Sequence, residues 1–355
     1  MIEKSQVNMG KKSNLIPNPG SCRMKIDFIN VGYGDSIYIE IWENNSRYNM
    51  LIDGGSSYEF EYNKYPTRIR TAEFLKQKGI AEIDLLVITH FHEDHVGGLL
   101  DVVKTCGIKK MWCNCALKDE FLGKRLEQGN SYSQDAYNMV TALNIYNEIY
   151  QTLQARKVPI EIIRYPLDII HFTKHTSVEI LGPPGTASQK LHDYVEKVYQ
   201  TMEGEAAEEI LLDIHKFINN TSIVLKLEFG ANKILLPGDV YADFWEELLK
   251  RDVSLHSHIF KFPHHGHEDA ISDRLIEKVT PRCVIVPVSN DRVDNCPAAS
   301  AMDMIKSICS LSGIDVEIHF TDIVCLPPFS HGEKNSSSIS LLLDYNQEYM
   351  GTRES

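Results

Sequence analysis

Four side chains able to hold a metal ion crowd into six residues of the segment LLVITHFHEDHVGGL, residues 85–99: His90, His92, Asp94 and His95. In an extended segment His90 and His92 point to the same side. The chain must then turn, because Gly97 and Gly98 and an apolar helical stretch follow. Asp94 and His95 on that turn can face back toward a second point beside the first. One short loop could therefore serve two ions, with His90 and His92 on one and Asp94 and His95 on the other. Imidazole suits zinc, iron, copper or nickel, and a mixed set of imidazole and carboxylate suits a hydrolytic pair of zinc or manganese ions. Two such ions, roughly 3.5–4 Å apart, would share a water and lower its pKa from about 15.7 toward about 7.

A loop that holds ions needs a rigid support. The run IDLLVIT before His90 is continuous, apolar and rich in β-branched residues, as a strand buried on both faces should be. Upstream, MKIDFINV, SIYIEIW and YNMLIDGG read as three strands, and PTRIRTAEFLKQKG reads as a helix with Pro66 near its start and Gly79 as its stop. The second half repeats the style. TSIVLKLEFGANKILLPGDV is a strand pair ending at Asp239, HIFKFPHHGHEDAIS a strand ending in histidines, and RCVIVPVS another buried strand, with helical patterns between them. Two runs of strands, each followed by helices, predict an α/β protein of four layers, an αβ/βα sandwich. Residues 1–22 read as a flexible tail, 23–346 as one domain and 347–355 as a C-terminal tail. Helical insertions are expected near 117–157, with a helix from about Lys118 to Lys157, and near 186–217. Residues 186–215 hold seven acidic and two basic residues, which suits a solvated helical face, or else a lid or the surface for a protein partner.

Composition sets limits. The 355 residues carry a formal charge of −13, which argues against a non-specific nucleic-acid coat protein but not against an enzyme that meets nucleic acid in a metal-containing cleft. No apolar run reaches the roughly 18–20 residues of a membrane span, so no membrane association is expected. The N-terminus lacks the apolar stretch of a secretory signal. Eight cysteines form no CxxC pair and read as reduced, mostly buried thiols of a cytoplasmic protein.

THFHEDHVGG resembles the H-x-H-x-D-H signature of the metallo-β-lactamase-fold hydrolases, and further segments resemble that family in the expected order. LIDGG places Asp53 behind the metals, where it would hold a ligand histidine. LLPGDV supplies Asp239, which the resemblance makes the bridge between two ions. KFPHHGHED supplies the last metal histidine. Adjacent strand-end residues face opposite ways, so only one of His264 and His265 should bind metal. Spacing does not fix which, and His265 is taken as the ligand and His264 as a donor facing the substrate. FINVGYGDSIYIE, NNTSIVLKL, ILLPGDV and FPHHG together are most similar to the hydrolase domain of competence-type DNA-uptake channel proteins, and bacterial choline-phosphate esterases are similar too.

The resemblance implies a phosphoester hydrolase with two divalent ions, zinc or manganese, most simply a nuclease acting on DNA. The alternatives are a phosphodiesterase on a small nucleotide or choline-phosphate-type ester, and a non-catalytic interaction subunit that carries metal. Asp94, Asp239 and His264 would be the catalytic groups. Asp35, in GYGD, reads first as a turn former and second as a group assisting the site. Two departures stand out. Asn219 or Asn220 occupies the place of a further metal-binding histidine, and Cys296-Pro297 replaces a His-Pro pair. His267 reads as a surface residue. His192, His215, His256, His258, His319 and His331, for which no spacing argument exists, read as surface or satisfied core groups. His171 and His175 are read the same way, with the reservation that their loop could supply a substitute ligand.

Overall fold

Alternation along the strands decides which side chains face which layer. Met50, Ile52, Leu85 and Val87 turn to one core, while their neighbours Leu51, Leu86 and Ile88 turn to another. The computed structural model describes residues 22–349 apart from 130, 202–203, 252, 292–294 and 325–335. Most of the expected N-terminal tail, the end of the C-terminal tail, Cys325 and His331 lie outside the described residues.

Two seven-stranded sheets pack face to face. The first runs, edge to edge, Ser338–Asp344, Arg23–Ile29, Ile37–Glu43, Ser46–Ile52, Leu85–Val87, Met111–Cys113 and Ile160–Ile162. The second runs Glu317–Phe320, Cys283–Val286, Ile259–Lys261, Asn232–Leu236, Val224–Phe229, Thr176–Gly182 and Ile170–His171. Phe28, Ile39, Val178, Leu225, Leu236 and Ile285 meet between the sheets. Helices cover both outer faces, with Phe74, Leu99, Val102, Leu143 and Tyr146 on the first sheet and Trp245, Leu275, Met302 and Ile305 on the second. The expected four-layer sandwich is the observed fold. Among the described residues no helix is long and apolar enough to cross a membrane. Cys113 and Cys115 are buried free thiols.

Each sheet has a parallel half. Ser46–Ile52 pairs parallel with Leu85–Val87, and that strand with Met111–Cys113. In the other sheet Asn232–Leu236, Ile259–Lys261, Cys283–Val286 and Glu317–Phe320 are parallel. Parallel strands finish at one edge, so the residues just past their carboxyl ends gather there: Asp53, His90, Asp239 and His265.

The helix expected from about Lys118 to Lys157 is shorter and covers Gln134–Ala155, capped by the Ser133 hydroxyl, which accepts from the Ala136 N–H. Before this helix lie a single 3-10 turn, Asp119–Phe121, and loop segments fastened by side chains of the helix. Asn147 Oδ1 accepts from the Gly123 N–H at 2.9 Å, Asn144 Oδ1 accepts from the Leu126 N–H at 2.9 Å, and both amides donate to carbonyls of the loop. These side chains meet backbone demands that helix would otherwise satisfy. The second insertion forms two helices, Gly185–Thr201 and Glu205–Phe217. Leu191, Val195, Tyr199, Leu211 and Ile214 on their apolar sides join the helix layer of the first sheet.

Arg68 ties the two halves together. Its buried guanidinium donates to Glu61 Oε2 at 2.8 Å, Asp322 Oδ2 and Asp291 Oδ2 at 3.0 Å, and Ser289 Oγ and Asn290 Oδ1 at 2.9 Å. Lysine, a compact ammonium with three donors, cannot serve this planar set. Arg68→Lys is expected to cost about 3–5 kcal/mol of stability in urea unfolding, as when a buried charge loses its partners. A loss under about 1 kcal/mol, the size of an exposed pair, would show the network to be dispensable.

Candidate metal centre

The strand Ser46–Ile52 ends in Asp53, whose backbone is left-handed (φ 56°), a conformation that aspartate tolerates better than most residues. The turn directs its carboxylate beneath the His-rich loop. Asp53 Oδ1 accepts from the Thr89 N–H at 2.9 Å, and Oδ2 takes the Thr89 hydroxyl at 2.6 Å and His95 Nδ1 at 2.8 Å. Glu93 fastens the same loop by accepting from Ser56 Oγ and from Ser57 N, both at 2.7 Å.

The GYGD segment then packs against Asp94. Asp35 N donates to Asp94 O at 3.2 Å, and a Cβ on Gly34 (φ 121°) would stand 2.1 Å from that carbonyl. Gly238 (φ 61°) lets Asp239 turn in beside Ser222, whose Oγ accepts from the Asp239 N–H at 3.2 Å.

Two sets of ligand atoms result. His90 Nε2 and His92 Nδ1 face each other at 3.1 Å. Beside them Asp94, His95, Asp239 and His265 converge. Asp239 Oδ2 lies 3.0 Å from both His95 Nε2 and His265 Nε2, and His265 Nε2 lies 2.9 Å from Asp94 Oδ2. The charge balance is that of a cation site. Burial opposes ionisation of Asp94 and Asp239, but the neighbouring His265 and His95, with Lys261 at Asp239, outweigh it and hold both carboxyls well below the usual range. Burial pushes His90 well below the ordinary imidazole value and His92 down to about 3, so both present lone pairs at neutral pH. Burial also opposes charge on His95 and His265, yet the carboxylates raise His95 well above its ordinary value and His265 to about 10. A divalent ion would compete with protons for the lone pairs of these two rings. The donor set therefore fits divalent-metal binding. Stripping ions with a chelator is expected to remove about 4 kcal/mol of stability if they are held at about a thousandfold excess over Kd. An unchanged melting temperature would separate the ions from the fold.

His264 and His265 are not an alternating pair at a strand end, as the sequence suggests. Both are left-handed, at φ 49° and 50°. His265 is buried with Asp94 and Asp239. His264 donates its N–H to Asp239 Oδ1 at 3.2 Å, and its ring lines the cavity.

Several expectations need correction. Asp35, read first as a turn former, lies beside the centre. It is buried, ion-paired to Lys261, and its Oδ1 lies 3.6 Å from His265 Nδ1. A buried ammonium requires a counter-charge, and Asp35 and Asp239 supply it. His267 stacks on His264 with centroids 4.0 Å apart and lines the cavity. Asn220 turns away, donating to Asp243 Oδ1, whereas Asn219 lines the cavity and donates to the Tyr241 hydroxyl at 2.9 Å. His171 lies on an exposed edge strand and His175 packs on Tyr345, so neither belongs to the site.

Two residues of the site have weak sequence signals. Lys261 is a lone charge in the buried run HIFKF, and its Nζ donates to Asp239 Oδ1 at 3.0 Å and Gly238 O at 2.8 Å. His215 lines the cavity with its ring centroid 5.2 Å from that of His92. The cavity, about 480 Å³, is also lined by Tyr33, Tyr58, Phe60, Glu61, Asp135 and Tyr241, and by no lysine or arginine among the described residues.

Residues 29–269 match the family described as the Metallo-beta-lactamase superfamily. ComE operon protein 3 of Bacillus subtilis (strain 168) is 20% identical over 294 residues, covering 79% of this chain. This chain spans 30% of that relative's length. Among solved structures, the metallo-beta-lactamase fold protein YhfI from Bacillus subtilis has a TM-score of 0.42 at 10% identity, over 90% of this chain and 99% of that one. A diphosphatase from the PhnP family has a TM-score of 0.39 at 12% identity, over 91% of this chain and 98% of that one.

Proposed function

We propose, from the premise that this chain belongs to the metallo-β-lactamase superfamily of metal-dependent hydrolases, that the bond it breaks is a phosphoester. The observation that carries this reading is the pair of ligand sets at one sheet edge, open to a cavity. His90 and His92 would hold one zinc or manganese ion, Asp94, His95 and His265 the other, with Asp239 between them. Such ions supply Lewis acidity and ionised water at neutral pH. The chain's own groups complete the site. Asp53 orients His95 through its second ring nitrogen. Burial pushes the Tyr241 phenol up to about 12, so it remains a hydrogen-bond donor. Tyr241 and the His264 ring, whose centroids are 5.1 Å apart, are placed to hold phosphoryl oxygens and to meet charge on the leaving group.

The lining favours a small ester over DNA. A polynucleotide needs cationic side chains along its phosphates. Here the walls carry Glu61, Asp135 and Asp269 beside aromatic rings, in a volume typical of small-molecule sites. The DNA reading draws on the similarity to competence-type hydrolase domains and to ComE operon protein 3. Manganese- or zinc-loaded protein is expected to hydrolyse bis-p-nitrophenyl phosphate or a choline-phosphate ester, with the activity abolished by Asp94→Ala. Single- and double-stranded DNA assayed in parallel decide between the readings: faster cleavage of DNA would overturn the small-ester assignment. No cleavage of any phosphoester by ion-loaded, folded protein would overturn the phosphoester reading itself.

A further inference from the structure

An imidazole that binds a metal through one nitrogen is normally held by its other nitrogen. Three of the four histidines at the candidate centre follow this rule. His95 Nδ1 meets Asp53 Oδ2 at 2.8 Å, and His265 Nδ1 meets Pro287 O at 3.3 Å. His90 Nδ1 meets the hydroxyls of Thr89 and Ser222 at 3.2 and 3.3 Å. His92 departs from it. Its Nδ1 faces His90, and its Nε2 is buried with no hydrogen-bond partner.

The ring of His215 packs against His92, and it carries a matching defect, a buried Nδ1 without a partner. On the other edge of that ring, Nε2 lies 3.9 Å from Asp135 Oδ2. We infer that His215 is the positioning residue for His92, its Nδ1 accepting the Nε2–H of His92 while its own Nε2–H is directed at Asp135. The inference rests on the reading of His92 as a metal ligand. With the ring centroids 5.2 Å apart, turning the two rings edge to edge would let each orphaned atom satisfy the other. The bond would fix His92 as the tautomer whose Nδ1 lone pair is free for the ion. His215 sits in the last turn of Glu205–Phe217, and Asp135 in the first turn of Gln134–Ala155. The helical insertions would then act as support for the metal centre as well as a wall of the cavity.

The test compares His215→Leu with His215→Asn, which share the number and branching of side-chain heavy atoms and differ in the acceptor that asparagine retains near the position of Nδ1. Cobalt(II) affinity is measured by chelator competition, together with the visible spectrum of the bound ion and the melting temperature. The leucine variant is expected to bind cobalt about 10–100-fold more weakly, the usual cost of losing an outer-shell partner, and the asparagine variant to recover wild-type affinity and spectrum. Equal affinity of the leucine variant and wild type would overturn the inference, as would failure of asparagine to rescue. A wild type that takes up no cobalt would overturn the metal-ligand reading along with it. Should the leucine variant not fold, the ¹⁵N imidazole spectrum of zinc-loaded wild type decides. A protected His92 Nε2 proton that shifts in His215→Asn supports the bond, and a solvent-exchanged one overturns it.

Discussion

Asp239→Asn is expected to lower kcat about a thousandfold, roughly 4 kcal/mol of barrier. The side chain keeps its shape but loses the charge on which the centre converges. One oxygen stands 3.0 Å from both His95 Nε2 and His265 Nε2, and the other accepts from Lys261 Nζ and the His264 N–H. An amide must place its NH₂ on one of these sides. Facing Lys261 and His264, it sets donors against donors. Facing the imidazoles, it removes the oxygen proposed to lie between two ions. Burial alone would favour a neutral group here, and the surrounding His265, Lys261 and His95 reverse that preference in the native chain. Steady-state kinetics with bound-metal analysis check the prediction. Activity within tenfold of wild type, at full metal content, would remove Asp239 from the centre.

A loss of stability as large as that at Arg68, about 3–5 kcal/mol in equilibrium unfolding, is expected from Lys261→Met. Methionine fits the space and the apolar strand Ile259–Lys261, so the loss is one of charge. Lys261 lies between Asp35 and Asp239, all three side chains almost fully buried. Burial opposes the ammonium, but the two carboxylates outweigh it and raise its pKa above the ordinary value. Without the lysine Asp35 loses its ammonium partner while still facing Asp239, and, already raised by burial, it would take up a proton. Asp35→Asn in the Lys261→Met background should recover part of the loss, because the sites share a partner. A fall below about 1 kcal/mol for the single variant would mean that solvent reaches the group and screens it.

The unequal legibility of the site follows from chain geometry. His90, His92, Asp94 and His95 were visible because dihedral angles relate residues a few positions apart, and a strand followed by a turn limits where they can point. The two sheets were visible for the same reason, since alternating and continuous apolar runs mark strand faces without knowledge of the partner strand. Asp239 and His265 entered through resemblance to a family, because nothing local in PGDV or PHHG says that these segments approach residue 94. The choice between His264 and His265, and between Asn219 and Asn220, lay beyond the period-two rule. The first pair sits on two consecutive left-handed residues, and the second in the short turn Ile218–Thr221, where strand alternation does not apply.

By itself, then, the sequence determined the four-layer architecture, the His-rich loop and the divalent-metal chemistry that its residue types allow. Tertiary structure alone decided that Lys261 is buried against two carboxylates, that Asp35 belongs beneath the centre and that His215 meets His92. Two of these contacts, Lys261 with Asp35 and His215 with His92, join residues more than 120 positions apart in the chain. Such contacts arise from the summed burial of many apolar side chains, which no single residue or local spacing encodes.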